Sequence, residues 1–112
     1  MSYRTMASLL LRLTRAGNTT LQLEPQIRLR ILLLLYIQVA PVPIVTLYGG
    51  VSANHAVIRM HLRNLERENI IGIRTDDNDR RARVITLSQH GTTMVRLFLD
   101  KQMDEIYIAQ HA

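Results

Sequence analysis

The sequence predicts a mainly α-helical α+β fold with one small β-hairpin, and three observations carry that prediction. Ile71, Ile73 and Thr75 alternate with Gly72, Arg74 and Asp76, and Val84, Thr86 and Ser88 alternate with Arg83, Ile85 and Leu87; this is the period-two pattern of two short strands. Between them, Asp76-Asp77-Asn78-Asp79 supplies residues that tolerate turn and left-handed geometry. Outside this stretch the apolar residues recur at helical spacing. At 112 residues the chain reads as one domain, 1–112, with a modest core that extra burial through dimerisation would enlarge.

A first helix is predicted over about Tyr3 to Ala16, with Met6, Leu9, Leu10 and Leu13 on one face and Arg4, Arg12 and Arg15 elsewhere. Gly17-Asn18 stops it, and Leu21 to Glu24 forms a link. Pro25 suits the first turn of a second helix that reaches about Val39, and its leucine-rich middle marks it as the centre of the core. Ala40-Pro41-Val42-Pro43 reads as a turn. Ile44 to Tyr48 follows as a short helix ending at Gly49-Gly50, where positive backbone angles cost little.

Ser52 is a good N-cap for a helix to about Glu68, with Asn69 as a left-handed cap at its end. Val51, Ile58, Leu62, Leu65 and, at the margin, His61 share its core side. Ala53, Ala56, Met60, Arg63 and Arg67 lie opposite, with Arg59 on a flank. After the hairpin, Ser88 or Gln89 opens a last helix to about Ala109, with Val95, Phe98, Leu99, Met103 and Ile106 as an apolar stripe.

Net charge is +5, and Lys101 is the only lysine. Arginine favours planar, two-pronged contacts to phosphate or carboxylate. The absence of cysteine removes disulfides, thiolate zinc sites and cysteine nucleophiles, and is compatible with the reducing cytoplasm in which we expect the protein to act. The N-terminal stretch carries an arginine inside its apolar run and matches a signal peptide poorly. Ile31 to Val45 is uncharged, but Gln38 and Pro41-Val42-Pro43 end its helical run short of the roughly 20 apolar residues a membrane span needs. The four histidines lack a metal-type spacing, the carboxylates fall on exposed positions, and neither a glycine-rich phosphate loop nor a nucleophile motif is present. An enzyme is not indicated, nor is a cofactor.

A short helix, a glycine turn, a capped helix with outward arginines and a basic hairpin, together spanning 42–91, form a helix-turn-helix followed by a wing. Such a unit suits duplex DNA, with the second helix in a major groove and the hairpin reaching the neighbouring minor groove or backbone.

Here the chain resembles the MarR family of winged-helix transcriptional regulators. The wing pattern D-x-x-D-R-R-x-x-x-x-x-L-[ST]-x-x-G is filled by Asp76, Asp79, Arg80, Arg81, Leu87, Ser88 and Gly91, and in LERENIIGIRTD Leu65 and Glu66 match while Asn69 stands where glycine is common. The resemblance implies bacterial or archaeal gene repression by a homodimer reading a pseudo-palindromic site. Its first and last helices, 1–20 and 92–112, would form the interface, which assigns that role to Leu9, Leu10, Leu13, Phe98, Leu99, Met103 and Ile106.

By the same resemblance Arg80 or Arg81 enters the minor groove, Arg83 adds charge on the return strand, and Asp79 braces the wing by pairing with a neighbouring arginine. The base-reading positions fall on Asn54, His55, Ala56, Val57 and Met60, with Ser52 at the capped end and Arg59 and Arg63 placed for phosphates or base edges. The family often has serine, threonine or arginine where this chain has Ala56, Val57 and Met60. Hydrogen-bonded readout would therefore rest on Asn54, His55 and an arginine, with thymine methyls open to apolar contact. PIVTLYGG lacks the family's usual charged residues, and the chain is shorter than most members, which implies a smaller dimer interface. Many members release DNA when a small aromatic compound binds between the dimer helices and the winged domain, although no residue here points specifically to such an effector. A rival expectation is a protein-interaction or assembly module, suggested by the apolar Ala53-Ala56-Met60 face.

Overall fold

The leucine-rich second helix lies at the centre of the molecule, as its unbroken apolar run demands. A computed structural model of the chain describes residues 2–21 and 25–111, with side chains over 2–13 and 27–109. The helices are α1 (Tyr3–Leu21), α2 (Pro25–Gln38), α3 (Ile44–Gly50), α4 (His55–Arg67) and α5 (Gln89–His111), and the strands are β1 (Val42–Pro43), β2 (Ile71–Thr75) and β3 (Arg83–Leu87). Ile31, Leu33 and Leu35 of α2 are buried against α1, α5, β3 and the α3–α4 pair. One continuous apolar cluster joins residues of every helix and strand.

Several boundaries differ from those expected. Helix α1 runs through Gly17-Asn18 to Leu21, because each such residue costs a helix interior only about 1 kcal/mol or less and does not stop it. From Gln22 onward, the link expected at Leu21–Glu24 lies outside the described residues, as does the side chain of Arg15. Val42-Pro43 is a strand rather than part of a turn: it pairs antiparallel with β3, Val42 opposite Ile85 and Pro43 opposite Val84, so the hairpin becomes a three-stranded sheet in the order β1-β3-β2. Pro43 is tolerated there because an edge strand does not need every N–H. Among the described residues no glycine takes a positive φ, and Gly49-Gly50 continues α3 instead of breaking it.

The end of α4 follows the sequence closely. Asn69 has φ 60°, its N–H donates to the Glu66 carbonyl (3.0 Å), and the Ile70 N–H donates to the Leu65 carbonyl (3.0 Å). These are the paired bonds of a Schellman cap, with buried Ile70 and Leu65 as its apolar contact. The start of α5 is tied to this cap. The Ser88 N–H donates to the Ile70 carbonyl (3.0 Å), the Ser88 hydroxyl donates to the Asn69 carbonyl (2.6 Å), and its oxygen accepts the Gly91 N–H (2.9 Å). Ser88 is thus the N-cap of α5. A Cβ on Gly91 would overlap the Ile70 carbonyl oxygen, so the glycine is required by close approach.

A different turn ends α2. Val39 has φ 64° and is 80% exposed, and the Ala40 N–H bonds the Gln38 carbonyl across it (2.6 Å). A β-branched residue is strained in this region.

The terminal helices correct one assignment. Leu99 is 0% exposed within the single chain, so it belongs to the core and no partner surface can reach it. Leu9, Leu10, Phe98, Met103 and Ile106 are half-buried and Leu13 is exposed. Leu97, Tyr107 and Ile108 of α5 are more exposed than the predicted stripe. On α1 the buried face is Met6, Ala7 and Leu11.

Candidate nucleic-acid interface

Helix α4 is amphipathic by spacing: Ile58, Leu62 and Leu65 are buried, and Arg59, Met60, Arg63 and Arg67 are exposed on the other side. Its N-cap is Asn54, not Ser52; the Asn54 side-chain oxygen accepts the Ala56 N–H at 2.7 Å. Ser52 stays in the preceding turn, exposed, and its carbonyl accepts a bond from Arg30 (3.4 Å). Both residues are good caps by type; the turn bonds Val51 N–H to Leu47 carbonyl and Ala53 N–H to Val51 carbonyl carry the chain two residues further before the helix starts.

His55, the first residue of α4, stacks on Tyr48 of α3, with ring centroids 3.9 Å apart and planes within 10°. This contact knits the two helices together at the turn. Val57 is half-buried and turns away from the most exposed face. At the other end of α4, Glu68 takes a two-pronged ion pair from Arg28 of α2 (2.7 and 3.1 Å). That guanidinium holds the Glu68 carboxyl below its ordinary value of 4.5, chiefly by hydrogen bonding.

The wing is a β2–β3 ladder with Ile73 opposite Ile85 and Thr75 opposite Arg83. Its tip is closed by the Asp76 N–H on the Ala82 carbonyl (2.9 Å). Carboxylates shape the loop by capping backbone: Asp76 accepts the Asn78 N–H (3.1 Å), and Asp79 accepts the Arg81 N–H (3.0 Å). Asp79 therefore braces the wing through the main chain, and not by pairing with an arginine side chain as expected. The wing's ion pair is Arg74–Asp77 (3.3 Å). Among the described residues, Arg80, Arg81 and Arg83 are exposed and form no salt bridge, and the same holds for Arg59, Arg63 and Arg67. Six unpaired guanidinium groups on one helix and one hairpin make a strongly attractive surface for polyanions.

A short helix, a turn, a second helix and a three-stranded wing in this order decide the architecture. The chain has the winged-helix fold of the MarR-family regulators. It is similar to Staphylococcus aureus MepR in a MepR–DNA complex (TM-score 0.64, 19% identity, 97% of this chain and 90% of that one). It is also similar to a variant of Lactococcus lactis ZitR (TM-score 0.62, 17% identity, 75% of this chain and 56% of that one). Streptococcus pneumoniae FabT in complex with DNA is a third neighbour (TM-score 0.55, 24% identity, 64% of this chain and 52% of that one). The matched region thus spans little more than half of the ZitR and FabT chains. No family model matches the sequence, and no curated protein matches it in sequence.

Within this winged helix, α4 is the second helix of the helix-turn-helix, and it brings together His55, Arg59, Met60 and Arg63 of the predicted residues. Asp79, Arg80, Arg81 and Arg83 are gathered on the wing. Ser52 and Asn54 stand at the helix start in structural roles.

Sequence reasoning missed Arg30, which is wholly buried in α2 and reaches the Ser52 carbonyl just ahead of α4. Its helical spacing from Ile27 and Leu34 was the available signal. It also missed the cluster in which Arg96 lies 5.8 Å from the Tyr3 ring centre and 6.0 Å from that of Tyr36, and donates to the Tyr36 hydroxyl (3.1 Å). This cluster borders a cavity of about 270 Å³ lined by Arg4, Tyr36, Thr86, Thr92 and Arg96, among others. Among the described residues no helix is long and apolar enough to cross a membrane.

Proposed function

We propose that this chain is a sequence-specific, double-stranded DNA-binding transcription regulator, acting as a homodimeric repressor on a pseudo-palindromic site. Helix α4 enters a major groove, and the arginine tip of the wing reaches the adjacent minor groove. The observation that carries this reading is the set of unpaired, exposed arginines on α4 and the wing, the two elements by which a winged helix grips a duplex. MepR and FabT, which have this fold, are bound to DNA in their own structures. For dimerisation, the exposed Leu97, Tyr107 and Ile108 of α5 supply the apolar surface that pairing would cover. The cavity beside Arg96 offers a small aromatic effector two cations and a tyrosine ring.

The test compares promoter DNA from the protein's own operon with random duplex across a salt series. Preferential binding that persists as salt rises supports the regulator. Equal affinities that fall together steeply with salt leave only nonspecific electrostatics and favour an assembly module. Arg80→Ala and Arg81→Ala are each expected to weaken specific binding, by about 1–3 kcal/mol for whichever side chain enters the groove. Unchanged affinity in both variants removes the wing from the mechanism.

A further inference from the structure

We propose that α4 discriminates between bases mainly by apolar contact with thymine 5-methyl groups, with Met60 and Ala56 as the contacting side chains and Arg59 and Arg63 holding the flanking backbone. This rests on the DNA-binding reading and adds to it the chemistry by which one base is told from another.

The two polar residues at the start of α4 are constrained by their neighbours, Asn54 by a hydrogen bond and His55 by a ring stack. Reading adenine with asparagine requires both the amide oxygen and the amide nitrogen, and the oxygen of Asn54 is held by the Ala56 N–H at 2.7 Å. The His55 ring lies flat on Tyr48 at 3.9 Å, which fixes its plane against α3 and leaves only its edge to turn towards a base. Immediately beyond them, Ala56 and Met60 stand one turn apart on the exposed side of the helix. Neither can donate a hydrogen bond, and Met60 is 43% exposed in the middle of the helix.

Arg59 and Arg63, also one turn apart, run beside this apolar pair and are free of salt bridges. A methyl-sized apolar strip bordered by cations complements one feature of a duplex. In the major groove the thymine methyl is the apolar group, and phosphates line the edges. Methionine, flexible and polarisable, fits irregular apolar surfaces of this kind. An assembly partner would need a larger apolar area than these two side chains offer, together with acidic groups to meet the arginines.

Duplexes preferred by the protein are first selected from a randomised pool. Each thymine of the selected site is then replaced in turn by deoxyuridine, which removes only the methyl group, and affinities are read by fluorescence anisotropy for the parent and for Met60→Ser. Burial of one methyl group, at about 0.8 kcal/mol, corresponds to about a fourfold loss at each contacted thymine. That loss is expected at one or two positions in each half-site, absent at thymines outside the footprint, and abolished in Met60→Ser at the thymine that Met60 contacts. Selective binding that is indifferent to deoxyuridine overturns the inference while leaving the DNA-binding reading intact. A methyl effect that survives undiminished at every contacted thymine in Met60→Ser overturns the assignment to that residue. A selection that enriches no sequence overturns both. The deoxyuridine comparison uses the unaltered protein, so it does not depend on the variant folding.

Discussion

Replacing Gly91 by alanine tests the account of how α5 is joined to the wing. The added methyl group would overlap the Ile70 carbonyl oxygen, and it would also lie 3.1 Å from the Ile70 side chain. The oxygen is backbone and cannot rotate away, and it already accepts the Ser88 N–H. Relief therefore requires α5 to lift from the sheet, weakening that bond; overpacking of this kind costs about 1–3 kcal/mol. Alanine is intrinsically the better helix former by about 1 kcal/mol, so the two effects oppose each other, and the clash prevails because the neighbour cannot move.

Gly49→Ala is the matched control: a Cβ there meets nothing within 4 Å, and its helical backbone should gain about 0.5–1 kcal/mol. Each kcal/mol moves the melting temperature of a chain this size by about 4 °C, so the two variants should shift in opposite directions when melted at one protein concentration. If Gly91→Ala melts with or above the parent, α5 does not approach Ile70 as described, and the explanation of this glycine is wrong.

Val39→Gly should stabilise the fold by about 0.5–1 kcal/mol in urea unfolding, since removing left-handed strain outweighs the entropy that glycine adds to the unfolded chain; a loss would show that Val39 is not strained. Glu68 titrates below its ordinary 4.5 in the folded chain, so the support it gives is complete above that value and disappears as pH falls through the folded pKa. The stability gap between the parent and Glu68→Gln should accordingly be steady above the ordinary 4.5 and narrow as pH falls below it, and a gap independent of pH would dismiss the Arg28 pair as its source. Leu97→Asp should leave the protomer folded and shift sedimentation towards monomer, whereas Leu99→Asp should unfold it, because a carboxylate would be placed in the core at a cost of several kcal/mol. A folded Leu99→Asp protein would contradict the burial of that side chain.

Elements marked by strong local chemistry were readable from the residues. The hairpin alternation, the Asn69 cap and the Leu65 and Ile58 face of α4 depend on neighbours in sequence, and the structure has them where expected. What escaped depends on contacts distant along the chain. Strand β1 is two residues long and exists because β3 offers it an edge. The choice of Asn54 over Ser52 as cap was made by the turn bonds after α3, not by side-chain preference. Leu99 and Leu97 carry the same side chain two positions apart, and only the docking of α5 on α1 and α2 decides which is core. Buried Arg30 reads as a surface charge until the helix that carries it is enclosed. At the candidate site, the arginines and Met60 were legible by helical spacing, while the engagement of Asn54 and His55 by their neighbours was not.

Because Ser88 bonds both the end of the α4 cap and the first turn of α5, no flexible joint separates the wing root from the long carboxy-terminal helix. The two behave as a single lever, and any splaying of two such helices in a paired assembly would swing both hairpin tips by a proportionate amount. In such an assembly the interval between the two tips would be set by helix geometry, as by a stiff ruler.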